Sequence, residues 1–298
     1  MTAVNLKTLL TKANRNNYSV AGLVVISWED AIAYTEAAHE TKIPIILQAG
    51  PSCRQYTPVS ILGKMFRHLA EQTKTPICCH LDHGFSYDEC IEGIESGFTS
   101  VMFDGSKLPL NKNIKISSKI SNIAHKHNIS VEGEVGIVGY HNGNTSFGTD
   151  IEEAKKYSLE SGVDAMAISV GNTHLQQSKI AKIDYNKILK IQKISKLPLV
   201  LHGSSGINSK MRKKIARNTK VAKFNIGTEL RITACKSLRK SFNKKKSSFR
   251  SKYPFVWLII LIIKNIMGYI LIIGGIMMLV LPGQGLSLIH ISEPTRPY

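Results

Sequence analysis

Residues 76–84 read PICCHLDHG, a continuous apolar run that ends abruptly in charged and polar side chains. An apolar run without alternating polar positions is typical of a strand that is buried on both faces. Similar runs recur at intervals of about 20 to 35 residues between Ser19 and Asn225. These runs are SVAGLVVI, PIILQA, SVMF, ISVEGE, AMAISV, LPLVLH and AKFNI, so the sequence predicts eight buried strands.

Helical patterns lie between many of these runs, for example in residues 86–95, 114–127 and 151–159. Strands that alternate with helices form a parallel sheet, and eight such strands can close into a barrel. We therefore predict an α/β fold, a (β/α)8 TIM barrel, for which the chain length of 298 residues is sufficient. An open, doubly wound sheet is the alternative that periodicity alone leaves open.

The positive charge is concentrated late in the chain. Between Lys210 and Lys252 there are sixteen Lys or Arg residues and one acidic residue, Glu229, so this segment carries +15 of the net +18. The block lacks interleaved aromatic residues, which argues against a nucleic-acid partner. Five cysteines without CxxC spacing and an N-terminus without a signal-peptide pattern predict a cytoplasmic protein with reduced thiols.

An apolar segment follows the basic block. Residues 255–281 read FVWLIILIIKNIMGYILIIGGIMMLVL, which is long enough to cross a bilayer that needs ~20 apolar residues. Lys264 and Asn265 interrupt it, so one tilted span and a shorter span after an interfacial helix both fit. A buried barrel helix is a third alternative. Residues 255–285 weakly resemble small bacterial membrane proteins with a Pro-Gly-Pro-Gly-Trp motif, although Gln284 departs from it.

We expect four parts along the chain: a barrel over residues 1–241, a basic linker over 242–254, a transmembrane segment over 255–282 and a tail over 283–298. The last barrel helix is complete or truncated by the segments that follow. Residues 286–298, LSLIHISEPTRPY, resemble a translated sequencing adapter and are excluded from fold reasoning. The join between barrel and membrane segment is therefore either natural or an assembly chimera with a membrane protein.

Charged and imidazole side chains stand where three predicted strands end. Asp82 and His83 end the third strand, His174 follows the sixth in SVGNTHLQ, and His202 ends the seventh in LPLVLHGSSG. Barrel active sites form at this end, and three protein ligands with an open position are typical of catalytic zinc. His80 shares the orientation of Asp82 if the strand is regular. Core histidines and a surface Asp-His pair are the alternatives.

The motifs HLDHG, GFTSVMFDGSKLPLNKNI, VEGEVG, GNTH, LVLHGSSGI and KFNIGTEL, in this order, resemble the class II fructose- and tagatose-bisphosphate aldolases over residues 6–241. The resemblance implies Zn2+ held by His83, His174 and His202, with Asp82 moving the proton on the hydroxyl beside the bond that breaks. It further implies that Asp104 and Glu134 hold a second divalent or monovalent cation. Glu132 is a supporting carboxylate.

The resemblance also implies the substrate contacts. Gly203 and Ser205 match phosphate-binding positions, and Asn225 and Thr228 match residues that hold the triose phosphate. The implied reaction is reversible retro-aldol cleavage of a ketose 1,6-bisphosphate to dihydroxyacetone phosphate and glyceraldehyde 3-phosphate, by a homodimer or homotetramer. The choice between fructose and tagatose bisphosphate stays open. Lys223, the only Schiff-base candidate, does not match the lysine position of the other aldolase class.

Two positions depart from the family pattern. The loop IVGYHNGN, residues 137–144, lacks the Glu that moves the proton at the triose carbon, and His141 is the residue that could replace it. Leu175 stands where the family has Gly after the second zinc histidine. The alternative to an active aldolase is therefore a homologue that binds metal and phosphate with altered or lost activity.

Overall fold

The computed structural model describes residues 2–139 and 146–280. Eight parallel strands form a closed barrel in which each strand pairs with the next, and β1 pairs with β8. The strands are β1 Val20–Val25, β2 Ile45–Ala49, β3 Ile77–Gly84, β4 Ser100–Phe103, β5 Ser130–Val135, β6 Ala165–Ile168, β7 Leu199–Leu201 and β8 Val221–Ile226. The predicted TIM barrel is confirmed, and closure of the sheet excludes the open alternative.

Helices precede, connect and follow the strands along the chain. They are α1 Leu6–Arg15, α2 Trp28–Thr41, α3 Pro51–Arg54, α4 Val59–Glu71, α5 Tyr87–Glu95, α6 Leu110–Lys126, α7 Ile151–Glu160, α8 Tyr185–Ile194, α9 Ser209–Asn218, α10 Thr228–Lys252 and α11 Pro254–Val280. Several begin with a side-chain cap, as at Ser27, Ser86 and Asp150, whose oxygens accept a backbone N–H of the first turn.

Alternate strand residues supply two apolar layers. In β3, Cys79 belongs to the layer between the strands and the outer helices, and Cys78 belongs to the layer inside the barrel. Helix α1 packs its buried face against the inner layer and contacts β1, β3, β5, β6 and β8. One end of the barrel is therefore closed by α1, and the carboxyl ends of the strands are left for a site.

The chain divides into two compact units, Met1–Ile232 and Thr233–Tyr298. In the second unit, α10 runs to Lys252 through residues that were expected to form a linker, and α11 follows. Within the described residues, the stretch Pro254–Ile273 is long and apolar enough to cross a membrane, with a mean hydropathy of 2.4 and none of it buried. The predicted tail, including residues 286–298, lies outside the described residues.

Candidate active site

Asp82 and His83 are neighbours in sequence, yet both side chains line the same cleft. In a regular strand, consecutive side chains point to opposite faces of the sheet. His83 breaks this alternation because its φ is 53°, in the left-handed region, and the pairing of β3 with β4 shifts register between Leu81 and Gly84. The irregular end of β3 therefore brings a carboxylate and an imidazole into one site.

The three histidines predicted at the strand ends lie together. The ring centroid of His83 is 4.6 Å from that of His202 and 5.3 Å from that of His174, and the last two are 5.8 Å apart. One nitrogen from each ring lies within 4.8 Å of the others. These three residues could therefore hold a metal ion, and three protein ligands with one open position are typical of catalytic zinc sites.

Carboxylates surround two of these rings. His83 Nδ1 is 2.8 Å from Asp104 Oδ2 and 3.9 Å from Glu134 Oε2. These three residues form a second group whose ligand atoms lie within 4.8 Å of one another, so two candidate cation positions share His83. On the other side, His202 Nε2 is 3.0 Å from Glu132 Oε1.

Two buried polar atoms make the site suitable for a cation. Among the described residues, His202 Nδ1 and Glu134 Oε2 have no hydrogen-bond partner, and they lie 3.6 Å apart. Buried polar atoms are almost always hydrogen-bonded, so an orphaned imidazole nitrogen beside an orphaned carboxylate oxygen needs an explanation. A metal ion bound to the cluster satisfies both atoms, and the residues present therefore fit the group that the resemblance implies.

Proton affinities within the cluster are strongly perturbed. Burial would lower the pKa of His83, but the carboxylates of Asp82, Asp104 and Glu134 outweigh it and raise this pKa to about 9. Burial and the charge of His83 lower the pKa of His174 to about 3. Burial and then the charge of Asp104 raise the pKa of Glu134 well above its ordinary value. In the absence of metal, His83 therefore carries the imidazolium charge of the cluster.

Asp82 has the surroundings of an ionised carboxylate. Burial would raise its pKa, but the charges of His83 and Lys223 lower it. Asn225 Nδ2 donates to Asp82 Oδ1 at 3.2 Å. An ionised carboxylate held at the cleft can accept a proton from a hydroxyl that is bound there.

A chain of polar side chains fills the barrel beneath the histidines. His80 Nδ1 is 2.9 Å from Ser100 Oγ, and His80 Nε2 is 3.1 Å from Lys223 Nζ. Lys223 Nζ is also 2.7 Å from Glu132 Oε2, and both of these charged side chains are fully buried. His80 Nε2 lies 3.8 Å from Asp82 Oδ1, as expected for residues on the same face of β3. These polar side chains reach the site through His80, next to Asp82, and through Glu132, next to His202.

The predicted phosphate-binding residues line the same cleft. Gly203 has φ 59°, and a Cβ there would overlap the carbonyl oxygen of Thr173, so only glycine fits. Ser205 Oγ accepts hydrogen bonds from the backbone N–H groups of Gly227 (3.3 Å) and Glu229 (3.1 Å) at the start of α10. A helix start with nearby hydroxyls is a favourable anion site.

The cleft contains seven of the predicted residues, namely Asp82, His83, His174, Gly203, Ser205, Asn225 and Thr228. His202, Asp104 and Glu134 lie beside it through the contacts described above. His141 lies outside the described residues. Leu175 also lines the cleft, with φ 57° and 54% of its surface exposed.

Sequence reasoning missed two arginines. Arg231 lines the cleft and donates from Nη2 to Thr228 Oγ1 at 3.4 Å. Its position three residues after Thr228 in NIGTELR, on the first turn of a helix, was a usable signal. Arg54 lies at the end of β3, and nothing in its local sequence marks it, because two of its partners are backbone carbonyls 28 and 29 residues away.

Comparisons with known proteins agree with this geometry. The sequence model of the family described as "Fructose-bisphosphate aldolase class-II" matches residues 4–265. A fructose-bisphosphate aldolase of Mycoplasma genitalium is 38% identical over 251 residues, which cover 82% of this chain and 86% of that protein. A 6-phospho-5-dehydro-2-deoxy-D-gluconate aldolase of Shouchella clausii is 32% identical over 259 residues, which cover 84% and 87%.

A solved structure is similar in fold over the same region. The crystal structure of the YdjI aldolase from Escherichia coli K12 superposes with a TM-score of 0.72 at 26% identity, covering 81% of this chain and 87% of that one. The family match spans most of the chain, and the relatives exceed 30% identity over most of their own length. The chain therefore belongs to the class II fructose-bisphosphate aldolase family, whose members are metal-dependent lyases.

Proposed function

We propose that this chain catalyses reversible retro-aldol cleavage of a ketose 1,6-bisphosphate to dihydroxyacetone phosphate and glyceraldehyde 3-phosphate, with zinc held by His83, His174 and His202. One observation carries the proposal: the three imidazoles converge beside an ionised carboxylate, Asp82, in an open cleft. When bound, the metal supplies Lewis-acid polarisation of the substrate ketone. Zinc is favoured over harder cations because the ligands are three nitrogens.

Asp82 is the proposed base for cleavage. Its lowered pKa keeps it ionised at neutral pH, so it can remove the proton from the hydroxyl beside the scissile carbon-carbon bond and return it in condensation. Asn225 fixes the carboxylate through the hydrogen bond to Oδ1. The same amide has a buried oxygen without a hydrogen-bond partner among the described residues, which is suited to a substrate hydroxyl.

The phosphate of the triose half is proposed to bind between the turn after β7 and the start of α10. Gly203, Ser205 and Thr228 offer a backbone N–H and two hydroxyls there, at the loops that hold phosphate in many barrels. Arg231 adds a positive charge to the same wall of the cleft. A phosphorylated sugar therefore matches both the metal side and the anion side of the site.

The proton at the triose carbon needs a separate group. We propose His141 for this step, since the loop 137–144 offers an imidazole and no carboxylate. The lack of a carboxylate also favours a second candidate function, a homologue that binds metal and phosphate without turnover. The two functions differ in whether His141 supports exchange of the carbon-bound proton of dihydroxyacetone phosphate.

The substrate is best tested with a panel, because the two relatives named above are aldolases for different substrates. Fructose 1,6-bisphosphate, tagatose 1,6-bisphosphate and 6-phospho-5-dehydro-2-deoxy-D-gluconate would be compared with the full-length protein after metal removal and after zinc return. The proposal expects cleavage of a bisphosphate that chelation abolishes and zinc restores. If the zinc-loaded protein cleaves none of these three substrates, the proposed function is wrong.

The proposal extends to the assembly and the location of the protein. We infer a cytoplasmic barrel in a homodimer or homotetramer, with Pro254–Ile273 in contact with a membrane. The basic residues before this segment, including Arg250 and Lys252, favour a cytoplasmic barrel side. Flotation of the full-length protein with anionic vesicles, compared with a protein ending at residue 252, would test the membrane contact. Equal flotation of both proteins would contradict it.

A further inference from the structure

Arg54, the last residue of α3, connects the ends of two strands. Its side chain is 5% exposed, and its Nη1 donates to the carbonyl oxygens of Ala49 (2.5 Å) and Asp82 (2.6 Å). Its Nη2 donates to the carbonyl oxygen of His83 at 2.8 Å. One rigid guanidinium thus holds the end of β2 and two consecutive carbonyls at the end of β3.

Glu89 fixes this guanidinium from the other side. Arg54 Nε donates to Glu89 Oε1 at 2.8 Å, and Glu89 Oε2 accepts the backbone N–H of Phe85 at 2.8 Å. Glu89 is itself held in the first turn of α5, where Ser86 Oγ accepts its backbone N–H at 3.1 Å. Ser86 and Glu89 have the Ser-x-x-Glu spacing of a helix start. Arg54 and Glu89 together therefore hold the backbone from Asp82 to Phe85 by hydrogen bonds.

These hydrogen bonds lie at the irregular end of β3. A residue other than glycine is held in the left-handed region only when its surroundings enforce that conformation. His83 adopts φ 53°, and this turn brings its ring to the same cleft as Asp82. Arg54 holds the carbonyl on each side of the His83 Cα, so it constrains the two peptide units that set this conformation.

We propose that Arg54, anchored by Glu89, is a positioning residue that holds His83 and Asp82 in the geometry for metal binding and proton transfer. The inference rests on the proposed function, because it assigns Arg54 a role only through those two side chains. The guanidinium does this with three hydrogen bonds to backbone carbonyls and one ion pair. A lysine there keeps the charge but lacks the fork that reaches several acceptors at once.

The test compares Arg54→Met and Arg54→Lys with wild-type full-length protein. We expect zinc affinity, measured by competition with a chelating dye, to fall about 10- to 100-fold, as is usual when a group supporting a metal ligand is lost. We expect kcat to fall together with zinc affinity. KM should change less than about threefold, because the proposed phosphate-binding residues are unchanged. In metal-free protein, hydrogen–deuterium exchange of a peptide over residues 80–86 should become faster.

Arg67→Met is the matched control. Arg67 also donates to a backbone carbonyl, that of Gly97 at 3.1 Å, and pairs with Glu71, but it contacts neither Asp82 nor His83. This variant should keep wild-type zinc affinity and wild-type exchange of residues 80–86, whatever its thermal stability. A fall in zinc affinity equal to that of the Arg54 variants would reduce the effect to general destabilisation and overturn the proposal.

Two further outcomes are decisive. If Arg54→Met does not fold, Arg54→Lys carries the test, and wild-type zinc affinity with wild-type exchange in that variant overturns the proposal. If the wild-type protein itself binds no zinc, the proposed function fails. The exchange measurement on metal-free protein still decides whether Arg54 holds the end of β3, so the two failures are distinguishable.

Discussion

His202 Nε2 lies 3.0 Å from Glu132 Oε1, and both side chains are fully buried. A carboxylate only accepts hydrogen bonds, so this contact places the proton of the neutral ring on Nε2 and leaves the lone pair on Nδ1. Lys223 Nζ holds the second oxygen of the same carboxylate at 2.7 Å. The buried pair thus fixes the tautomer in which His202 offers Nδ1, the orphaned atom of the site, to a metal.

Glu132→Gln tests this relationship. The amide can turn an N–H toward His202, and it leaves Lys223 without a counter-ion, so zinc affinity should fall about 10- to 100-fold. Removing one partner of a buried ion pair should also lower the free energy of unfolding by about 3 kcal/mol. Chelator competition and urea unfolding measure the two effects. Glu71→Gln, at a half-exposed ion pair, is the control. It should change zinc affinity and the free energy of unfolding only slightly.

Asp82→Asn separates metal binding from chemistry. The asparagine keeps the shape of the side chain but cannot take a proton, so kcat for bisphosphate cleavage should fall about 10²- to 10⁴-fold. Zinc content after dialysis should stay near one per chain, since His83, His174 and His202 are retained. Asp88→Asn on the exposed face of α5 should retain full activity. An Asp82→Asn enzyme with wild-type kcat would remove Asp82 from the mechanism.

Zinc affinity should depend on pH through His83. Its pKa is raised to about 9 in the metal-free protein, so at neutral pH the ring is charged and must lose a proton before it binds a metal. Protons therefore compete with zinc, and affinity falls as the pH falls. The pKa of His174 is lowered to about 3, so that ring adds no proton in this range.

Between about pH 6 and pH 8 the logarithm of the zinc association constant should rise by about one per pH unit, and it should level off above pH 9. Titration against a chelator of known pH dependence measures this slope. A slope of zero would show that His83 is neutral in the metal-free protein or is not a ligand.

Leu175→Gly tests the departure at the cleft. A leucine at φ 57° carries about 1–2 kcal/mol of backbone strain, which glycine relieves at a cost of about 0.5–1 kcal/mol in chain entropy. The free energy of unfolding should therefore change by less than about 1 kcal/mol. KM for the bisphosphate should fall several-fold, because the exposed side chain leaves the cleft wall.

Leu175→Ala is the companion variant for this position. It keeps the strain and removes most of the bulk, so it should reproduce the change in KM without the relief of strain. An unchanged KM in both variants would show that the leucine does not limit access of the substrate.

The barrel was predictable because most strands are largely apolar runs. Strand β4 falls on SVMF with the same boundaries, and β3 falls on PICCHL with boundaries that differ by one residue at the start and three at the end. Such strands are buried on both faces, so hydrophobicity alone marks them. The histidines were predictable for a related reason: polar residues that follow buried strands must gather at one end of the barrel.

The remaining features depend on contacts that sequence order does not contain. His83, which is in the left-handed conformation, has its carbonyl oxygen hydrogen-bonded by Arg54, which is 29 residues away. The buried pair of Lys223 and Glu132 is separated by 91 residues and forms only when the barrel closes. The ammonium of Lys223, the Schiff-base candidate in the sequence, is occupied by Glu132 and His80.

Deuterium exchange at the triose carbon of dihydroxyacetone phosphate tests the proposed chemistry most directly. The experiment uses full-length protein in D2O, with zinc, with chelator, and with zinc restored, and proton NMR follows the carbon-bound hydrogen. Exchange that chelator abolishes and zinc restores is the predicted result, and His141→Ala should slow it. Folded, zinc-loaded protein that catalyses no exchange would contradict the aldolase function and leave a barrel that binds metal and phosphate.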